Sequence, residues 1–493
     1  MIDLTSFISN GTLNPLSNKV TVPTSLSANS KTVKEGGLFV AIPGTQHDGA
    51  AFIDEALRKG ASAIVVQEIE LKKLIHCEER YPTVSFFKTP NARKALSQLA
   101  AAFYPRQPEN CVAVTGTNGK TSVVSFIRQI WHQLGIPAAS LGTLGLIVEG
   151  KPHPPPTGTG GLNTPDPIAL HEILQSLKQE RIEHVAFEAS SHALHQHRLE
   201  AVQLRAAVFT NLSNDHLDYH QTLEDYRDVK FRLFKEIVDK NGCAVLNADI
   251  PEFAALSALC QKRGLQTITF GKAGEDIQLL SVTPKEGAQD IHLCVTGKSY
   301  DLTLPLVGEF QVYNAMAAVG GVIACGADAG QAAKACAHLK GVPGRLEEVA
   351  PGIYVDYSHS PDGLSVALKA LRPHTTGKLW VVFGCGGNRD TLKRPMMGEI
   401  ADKLADKIII TDDNPRYENP AHIRQQIFAK CPRATESLCR RQAIQTAVED
   451  RAPNDVILIA GKGHETYQII GDQTIPFNDA EEVKRCIRAI GCK

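Results

Sequence analysis

Short apolar runs alternate with helical patterns through most of the chain. In its middle and final parts the runs stand at 111–114, 184–187, 206–209, 243–246, 353–355, 379–383, 408–410 and 456–459. Strands that are separated by helices and apolar on both faces belong to parallel sheets covered by helices. We therefore expect an α/β protein built on mainly parallel sheets.

The length of 493 residues exceeds what one hydrophobic core usually organises, so about three domains are expected. Two stretches rich in proline or glycine, 104–108 and 341–345, are the candidate boundaries. They predict a small N-terminal α/β domain at 1–106, a central domain at 107–340 and a C-terminal Rossmann-like α/β domain at 341–493. The Pro/Gly-rich stretch 151–161 is interpreted as a surface loop.

Composition excludes several classes of function. The formal net charge of -1 offers no basic field for a nucleic acid or an anionic membrane. The N-terminus lacks the regions of a signal peptide, and no run approaches the roughly 20 apolar residues of a membrane span. We expect a cytoplasmic monomer. The twelve cysteines include no Cys-x-x-Cys pair, and Cys111, Cys243 and Cys294 are interpreted as buried, reduced thiols.

A glycine-rich turn lies between the run at 111–114 and a helical pattern. It contains Gly116, Thr117, Asn118, Gly119, Lys120, Thr121 and Ser122. In this setting backbone N–H groups and the helix N-terminus bind phosphate oxygens, Lys120 neutralises the β- and γ-phosphates and Thr121 ligates Mg²⁺. ATP is therefore the expected ligand. The two glycines are closer together than in the general pattern, and a chance turn is the alternative.

Two further polar residues follow predicted strands. Glu188 ends the run at 184–187, and His216 lies in the segment after 206–209. Because the carboxyl ends of parallel strands share one edge of a sheet, both are expected near the γ-phosphate. Glu188 offers Mg²⁺ an oxygen ligand, and His216 suits a softer metal position. The alternative makes Glu188 a helix-capping partner and His216 a hydrogen-bonded loop residue.

At these residues the chain resembles the Mur ligase family over nearly its whole length. The matching stretches are Gly116–Thr121, Glu188–Leu194, Asp215–His220, Gly344–Arg345 and Gly461–Glu465. The resemblance implies an ATP-dependent ligase of peptidoglycan precursor synthesis, with domains that bind in turn a UDP-linked substrate, ATP and an amino acid. It implies catalytic roles for Lys120, Glu188, His216 and Lys230. Lys230 would be carbamylated and would ligate the metal with Thr121, Glu188 and His216, although the sequence alone makes it an exposed helix lysine.

The same resemblance implies the substrate contacts. ATP would be bound by Gly116–Ser122 together with Asn314 and Arg345. The UDP-linked muramoyl dipeptide would be bound by Ser30, Thr45, Gln46, His47, Asn163, Thr164, Ser190, Gln196 and Arg198. This sequence departs from the family pattern in two places: Asn29-Ser30-Lys31 replaces Asp-Ser-Arg, and Asn163-Thr164-Pro165 replaces Thr-Thr-Pro. A lysine in place of arginine loses the two-pronged guanidinium contact.

The stretch Asp413-Asn414-Pro415-Arg416 follows the run at 408–410 and resembles the family's signature for diaminopimelate. Diaminopimelate carries a distal carboxylate that lysine lacks, and the Arg416 guanidinium matches that group. Asp413 and Glu465 can hold ammonium groups, and Arg389 and Gly461 are expected in the same site. An ordinary turn with a surface arginine is the alternative.

The resemblance implies that meso-2,6-diaminopimelate is added to the D-glutamyl γ-carboxylate of UDP-MurNAc-L-Ala-D-Glu through an acyl phosphate. A sister ligase that adds L-lysine is one alternative. A folylpolyglutamate synthetase shares the ATP loop but leaves Gly344–Arg345 and Asp413–Arg416 unexplained. A noncatalytic nucleotide-binding partner subunit is the alternative from another class.

Overall fold

A computed structural model describes residues 2–16, 20–44, 48–68, 74, 77, 80–153, 162–215 and 217–491. The chain divides into two compact units. The first comprises Met1–Ile268 and Ala324–Gly326, and the second comprises Thr269–Ile323 and Ala327–Lys493. In the part of the chain that is described, no helix is both long and apolar enough to cross a membrane.

The first unit begins with a five-stranded sheet in the order β1-β5-β4-β3-β2. Its strands are β1 (Asn14–Pro15), β2 (Leu26–Ser27), β3 (Leu38–Ala41), β4 (Ala63–Gln67) and β5 (Ser85–Thr89), and only β1 runs antiparallel to its neighbour. Its helices are α1 (Thr5–Ser9), α2 (Ile53–Arg58) and α3 (Ala92–Phe103), with 3-10 turns at Ser30–Thr32 and Gly49–Phe52. Successive β3 side chains point to opposite faces, so Val40 packs with α3 while Phe39 packs with α2.

The central sheet of the first unit has the order β12-β11-β6-β10-β7-β8-β9. The strands are β6 (Asn110–Thr115), β7 (Ala138–Gly142), β8 (Gly145–Val148), β9 (Lys151–His153), β10 (His184–Glu188), β11 (Ala206–Phe209) and β12 (Cys243–Asn247). The five from β12 to β7 are parallel, and β8 and β9 add an antiparallel edge. The loop prediction for 151–161 is thus wrong at 151–153, which pairs with β8, while 154–161 lies outside the described residues.

Helices cover this central sheet. They are α4 (Lys120–Gln133), α5 (Pro167–Gln179), α6 (Ser191–His195), α7 (Leu217–His220), α8 (Leu223–Arg232) and α9 (Phe253–Arg263), with a π-helical turn at Leu233–Ile237. The largest side chains that the helices bury here include Trp131, Phe126 and Phe234. The predicted strand–turn–helix order around the phosphate loop is therefore present.

The division between the units falls within β13 (Gln266–Gly271). The second unit continues with an antiparallel meander of β14 (Ile277–Lys285), β15 (Ala288–Val295) and β16 (Lys298–Leu304). Then come α10 (Glu309–Ala324), α11 (Ala329–Ala335) and a 3-10 turn at Cys336–His338. Cys111 and Cys243 are buried as expected, but Cys294 is only half-buried because it lies on the less covered face of β15.

A six-stranded sheet in the order β17-β18-β22-β19-β20-β21 forms the rest of the second unit. Its strands are β17 (Glu347–Ala350), β18 (Ile353–Asp356), β19 (Leu379–Phe383), β20 (Lys407–Ile410), β21 (Thr435–Glu436) and β22 (Val456–Ala460); a hairpin of β23 (Tyr467–Ile470) and β24 (Gln473–Pro476) follows. Only β17 is antiparallel in the sheet. The helices are α12 (Pro361–Leu371), α13 (Lys393–Leu404), α14 (Pro420–Phe428), α15 (Arg440–Asp450) and α16 (Asp479–Gly491), with a 3-10 turn at Arg372–His374.

Both faces of this sheet are covered. Val381 and Phe383 belong to one apolar cluster, and Trp380 and Val382 belong to another. Alternate residues of a strand point to opposite faces, so the two clusters lie on either side of the sheet. The prediction of a doubly covered α/β domain is confirmed.

Candidate active site

The glycine-rich turn joins β6 to α4 and is held by the end of the neighbouring strand β11. Thr210 Oγ1 donates to Asn118 O at 2.6 Å, and Asn118 N donates to Asn211 Oδ1 at 2.9 Å. Gly116 has φ +142°, and a Cβ there would collide with Thr210 Oγ1. Only glycine allows the two segments to approach this closely.

Lys120 lies at the start of α4 and folds back over the turn. Its Nζ donates to Gly116 O at 2.9 Å and to Thr117 O at 2.7 Å. Ser122 is buried in the same helical turn. The ammonium is thereby held at the helix N-terminus, the position where a phosphate group is favoured by backbone N–H groups and the helix dipole.

Glu188 ends β10 and is almost fully buried at 1% exposure. Its Oε1 accepts from Thr121 Oγ1 at 3.0 Å and from Thr143 N at 2.8 Å, and Oε2 accepts from Thr143 Oγ1 at 3.2 Å. The parallel register sets Glu188 opposite Val114, which places the carboxylate beside the phosphate turn. The capping alternative is not supported, because Ser190 rather than Glu188 caps α6.

The carboxylate and hydroxyl oxygens of Glu188 and Thr121 fit the ligand preference of Mg²⁺. His216, the predicted softer ligand, lies outside the described residues. Within the described ranges, no group of three or more His, Cys, Asp or Glu residues is arranged for metal binding.

Lys230 is buried on α8 at 1% exposure, so the expectation of an exposed helix lysine is wrong. Its Nζ donates to Gly116 O at 2.8 Å and lies 4.4 Å from the centre of the Tyr226 ring. Burial, with a smaller effect of the Lys120 charge, holds the pKa of Lys230 well below its ordinary value. The amine thus lies against the phosphate turn and favours its uncharged form.

Four of the residues assigned to the dipeptide lie together next to Glu188. Thr164 Oγ1 donates to Glu188 O at 2.8 Å, and Ser190 N donates to Thr164 Oγ1 at 3.3 Å. Arg198 donates to Thr164 O at 2.6 Å and to Gln196 Oε1 at 2.7 Å. Asn163 is exposed beside them. The cluster connects the segment before α5 with both ends of α6.

In the second unit, the turn after β20 carries Arg416 in a left-handed backbone conformation with φ +52°. The main chain of Arg416 is bonded to the hairpin, with Arg416 N donating to Ile469 O at 3.1 Å and Gly471 N donating to Arg416 O at 2.7 Å. Its Nη1 donates to Gly387 O at 2.9 Å. Among the described residues, the guanidinium has no carboxylate partner, and its Nε and Nη2 groups remain available.

Carboxylates line the same turn. Asn414 Nδ2 donates to Glu465 Oε2 at 3.0 Å, and the buried Asp413 lies close to Gly461, where a Cβ would stand 2.8 Å from Asp413 Oδ2. Pro415 is buried as well. Arg389 is exposed and has no ion pair within the described part of the chain. The site thus combines unpaired guanidinium groups with carboxylates.

Asn314 and Arg345 are linked to one another in the second unit. Asn314 Nδ2 donates to Gln311 Oε1 at 3.0 Å, and Gln311 Nε2 donates to Arg345 O at 3.2 Å. The Arg345 guanidinium stacks 4.8 Å from the centre of the Tyr357 ring. Their role in nucleotide binding stays a prediction.

Comparisons with known proteins show which family this chain belongs to. Three family models match the chain: "Mur ligase family, catalytic domain" at 23–104, "Mur ligase middle domain" at 114–322 and "Mur ligase, glutamate ligase domain" at 344–463. A UDP-N-acetylmuramoyl-L-alanyl-D-glutamate–2,6-diaminopimelate ligase of Bradyrhizobium diazoefficiens is 46% identical over 469 residues, which cover 93% of this chain and 94% of the relative. The chain is a member of the Mur ligase family.

Two other proteins are similar to this Mur ligase over nearly its full length. The ligase of the same name from Caulobacter vibrioides is 45% identical, with 94% of this chain and 95% of the relative covered. A solved structure of such a ligase superposes with a TM-score of 0.70 at 30% identity and covers 95% of each chain. The Mur ligase therefore has the three-domain α/β architecture of the family.

The structure describes only part of the residues that are predicted to bind uridine. Ser30 is buried, and its Oγ donates to Glu55 Oε2 at 2.7 Å. Asn29 accepts from Lys31 N at 3.0 Å and so caps the short 3-10 turn. Thr45, Gln46 and His47 lie outside the described residues. The uridine contacts stay predictions.

Sequence reasoning did not assign Thr143, Thr210, Asn211 or Lys462. Thr143 follows β7, while Thr210 and Asn211 follow β11, and all three bond the phosphate turn or Glu188. The signal was available, because each is a polar residue directly after a strand of the parallel sheet. Lys462 Nζ donates to Glu465 Oε2 at 2.9 Å, and no sequence pattern around these two residues predicted that contact.

Proposed function

We propose that this Mur ligase uses ATP to join meso-2,6-diaminopimelate to the D-glutamyl γ-carboxylate of UDP-MurNAc-L-Ala-D-Glu. The observation that carries the proposal is the Arg416 guanidinium, fixed by Gly387 O and without a carboxylate partner among the described residues. Asp413 and Glu465 supply negative charge nearby. The names of the similar ligases agree with this substrate pair. The proposal includes a cytoplasmic location, where ATP is available, and a monomeric state that sedimentation would test.

The distal end of diaminopimelate suits these groups. Its carboxylate would accept two hydrogen bonds from the Arg416 guanidinium, and its ammonium group would be held by Asp413 or Glu465. Arg389 is exposed and offers a second guanidinium for a carboxylate. Lysine would leave the half-buried Arg416 without a carboxylate partner. A site built to hydrogen-bond one substrate group discriminates strongly against an analogue that lacks it, so we expect roughly a hundredfold discrimination or more.

In the first chemical step, an oxygen of the D-glutamyl γ-carboxylate attacks the γ-phosphorus of ATP, and the bond to the β,γ-bridging oxygen breaks. The products are an acyl phosphate and ADP. Lys120 and the N–H groups of Gly116–Ser122 would stabilise the charge on the transferred phosphoryl oxygens. Mg²⁺, when held by Thr121, Glu188 and the predicted ligand His216, would neutralise phosphate charge.

In the second step, the neutral amine of diaminopimelate attacks the acyl carbon and expels phosphate, while its proton passes to a base. Thr164, Ser190, Gln196 and Arg198 would orient the dipeptide, because Thr164 bonds the backbone of Glu188 and the other three form one network with it. Holding both reactants in place replaces a bimolecular encounter by a reaction between bound groups.

Lys230 is proposed to act as a carbamate. An uncharged amine adds to CO₂ and releases one proton, and burial next to Gly116 O lowers the pKa of Lys230, which raises the share of uncharged amine. The carbamate would replace a positive charge beside the triphosphate with oxygen ligands for the metal. Mass spectrometry of the intact protein in bicarbonate, compared with Lys230→Met, tests this by a gain of one CO₂.

Amide formation from the UDP-dipeptide tests the function, with diaminopimelate and lysine compared in separate assays. We expect diaminopimelate to be preferred at least about a hundredfold in kcat/KM, and Arg416→Ala to remove most of that preference. Arg433→Ala is the matched control, because it removes a guanidinium that pairs with Asp402 on the surface. Equal use of both amino acids by the unaltered enzyme favours the lysine-ligase alternative.

A second assay separates catalysis from nucleotide binding alone. The γ-carboxylate of the dipeptide is labelled with ¹⁸O, and the released phosphate is analysed. An acyl phosphate transfers one labelled oxygen to phosphate. No ATP turnover with both substrates present would support the noncatalytic alternative.

A further inference from the structure

Lys462 is a fully buried lysine in the second unit, with no exposed surface on its side chain. Its Nζ donates to Glu465 Oε2 at 2.9 Å and to Asn414 Oδ1 at 3.1 Å. Asn414 Nδ2 closes the triangle by donating to the same Glu465 oxygen at 3.0 Å. A buried ammonium needs such partners, because an unpaired charge in the protein interior is strongly unfavourable.

The triangle, together with one further bond to Asn414, joins three segments of the chain. Asn414 belongs to the turn that carries Arg416, and Lys462 and Glu465 belong to the turn after β22. Asn414 Oδ1 also accepts from Ile469 N at 3.0 Å, which attaches strand β23. Strand β23 in turn bonds the main chain of Arg416 through Ile469 O. The position of Glu465 relative to Arg416 therefore depends on the Lys462 ammonium.

The two oxygens of Glu465 are used differently. Oε2 accepts from both Lys462 and Asn414, whereas Oε1 has no hydrogen-bond donor within the described ranges. A carboxylate with one oxygen fixed twice keeps the other oxygen in a defined place. That oxygen is available to an ammonium group of a ligand.

We propose that Lys462 is a positioning residue for the amino-acid substrate, which sets the spacing between the Glu465 carboxylate and the Arg416 guanidinium. The inference rests on the proposed function, since it takes diaminopimelate as the ligand. The distal carbon of that amino acid bears an ammonium and a carboxylate, so its recognition needs one anionic and one cationic group at a fixed separation. Lys462 supplies that separation without touching the substrate.

Steady-state kinetics of Lys462→Met test the inference, because methionine keeps the length and removes the charge and donors. We expect the KM for diaminopimelate to rise about 10- to 100-fold, because this is the effect of losing one hydrogen bond to a charged group. The change in kcat should be smaller, and the KM for ATP should stay unchanged. The preference for diaminopimelate over lysine should fall. Lys403→Met is the matched control, because Lys403 pairs with Glu399 on the surface of α13 at 2.5 Å.

Formation of the acyl phosphate from ATP and UDP-dipeptide, without any amino acid, is measured in parallel by borohydride trapping. Retained trapping with a raised KM for diaminopimelate supports the positioning role. Lys462→Gln, which keeps a donor, is the second variant; loss of trapping in both variants would make Lys462 a general structural residue and overturn the inference. An unchanged KM and preference in Lys462→Met overturn it too. If the unaltered enzyme does not prefer diaminopimelate, the proposed function itself fails.

Discussion

Replacing Gly142 with alanine tests whether the position of the Glu188 carboxylate controls activity. Gly142 ends β7, and a Cβ there would collide with Glu188 Oε1 and would stand 2.7 Å from Glu188 Cγ and 2.8 Å from Glu188 Cδ. Ordinary contact begins at about 3.4 Å, so the carboxyl carbon must retreat by roughly 0.6 Å and Oε1 by more. The backbone of a central strand yields little, because the sheet is close-packed.

Moving the carboxylate would disturb three hydrogen bonds that Glu188 accepts. Thr121 Oγ1 and Thr143 N donate to Oε1 at 3.0 and 2.8 Å, and Thr143 Oγ1 donates to Oε2 at 3.2 Å. Displacements of this size in a catalytic site cost about 10- to 100-fold in rate, since a misplacement of about 1 Å costs roughly a hundredfold. Overpacking should also destabilise the protein by about 1–3 kcal/mol.

The assay is the initial rate of amide formation at saturating substrates, over a series of Mg²⁺ concentrations, with the thermal midpoint measured beside it. We expect Gly142→Ala to lower kcat about 10- to 100-fold and to need more Mg²⁺. Gly145→Ala is the control, because a Cβ at Gly145 meets no atom within 4 Å, although its φ of +78° makes alanine strained. A kcat for Gly142→Ala within about twofold of the unaltered enzyme refutes the reasoning, and so does an equal loss in Gly145→Ala.

Two predictions concern stability. Burial lowers the pKa of His171 from 6.5 to about 4 in the folded protein, so the unfolded chain binds the proton first and stability is lost as pH falls from 6.5 towards 4. His171→Leu should show a smaller fall of the thermal midpoint over that range, and an unchanged fall would contradict the assignment. Arg440 and Asp479 form a fully buried ion pair at 2.7 Å. Arg440→Met should destabilise the protein by about 3–5 kcal/mol, because it leaves the Asp479 carboxylate buried without a partner. Adding Asp479→Asn removes that charge and should restore much of the thermal midpoint. If the midpoint does not recover, the unpaired carboxylate is not the cause of the loss.

Much of the fold follows from local patterns. Buried strands in parallel sheets are short apolar runs, and the runs at 184–187 and 206–209 became β10 and β11 beside β6. That arrangement alone brings Glu188 to the phosphate turn. The antiparallel additions, β8 with β9 and β14 to β16, were not predicted. The predicted strands were continuous apolar runs, whereas β15 alternates half-buried and buried residues, a pattern that itself indicates a half-buried strand.

The burial of Lys230 shows where local reasoning ends. The sequence of α8 predicts a polar surface helix, because glutamate, aspartate and arginine surround the lysine. Its side chain is buried because the phosphate turn, more than a hundred residues earlier, packs over it. Such long-range packing leaves no trace in the spacing of residues around position 230. The same holds for Lys462, whose partner Asn414 is 48 positions away.

The turn at Arg416 can be judged against the alternative of an ordinary surface arginine. Asp413, Asn414 and Pro415 are buried, and Arg416 itself adopts the left-handed region at φ +52°. A side chain larger than glycine there costs about 1–2 kcal/mol, which the two main-chain bonds to the hairpin help to offset. The Arg416 guanidinium is also held by Gly387 O. Arg389 is exposed, whereas Arg416 is half-buried and fixed through both its main chain and its side chain, so discrimination between amino acids should depend on Arg416 more than on Arg389.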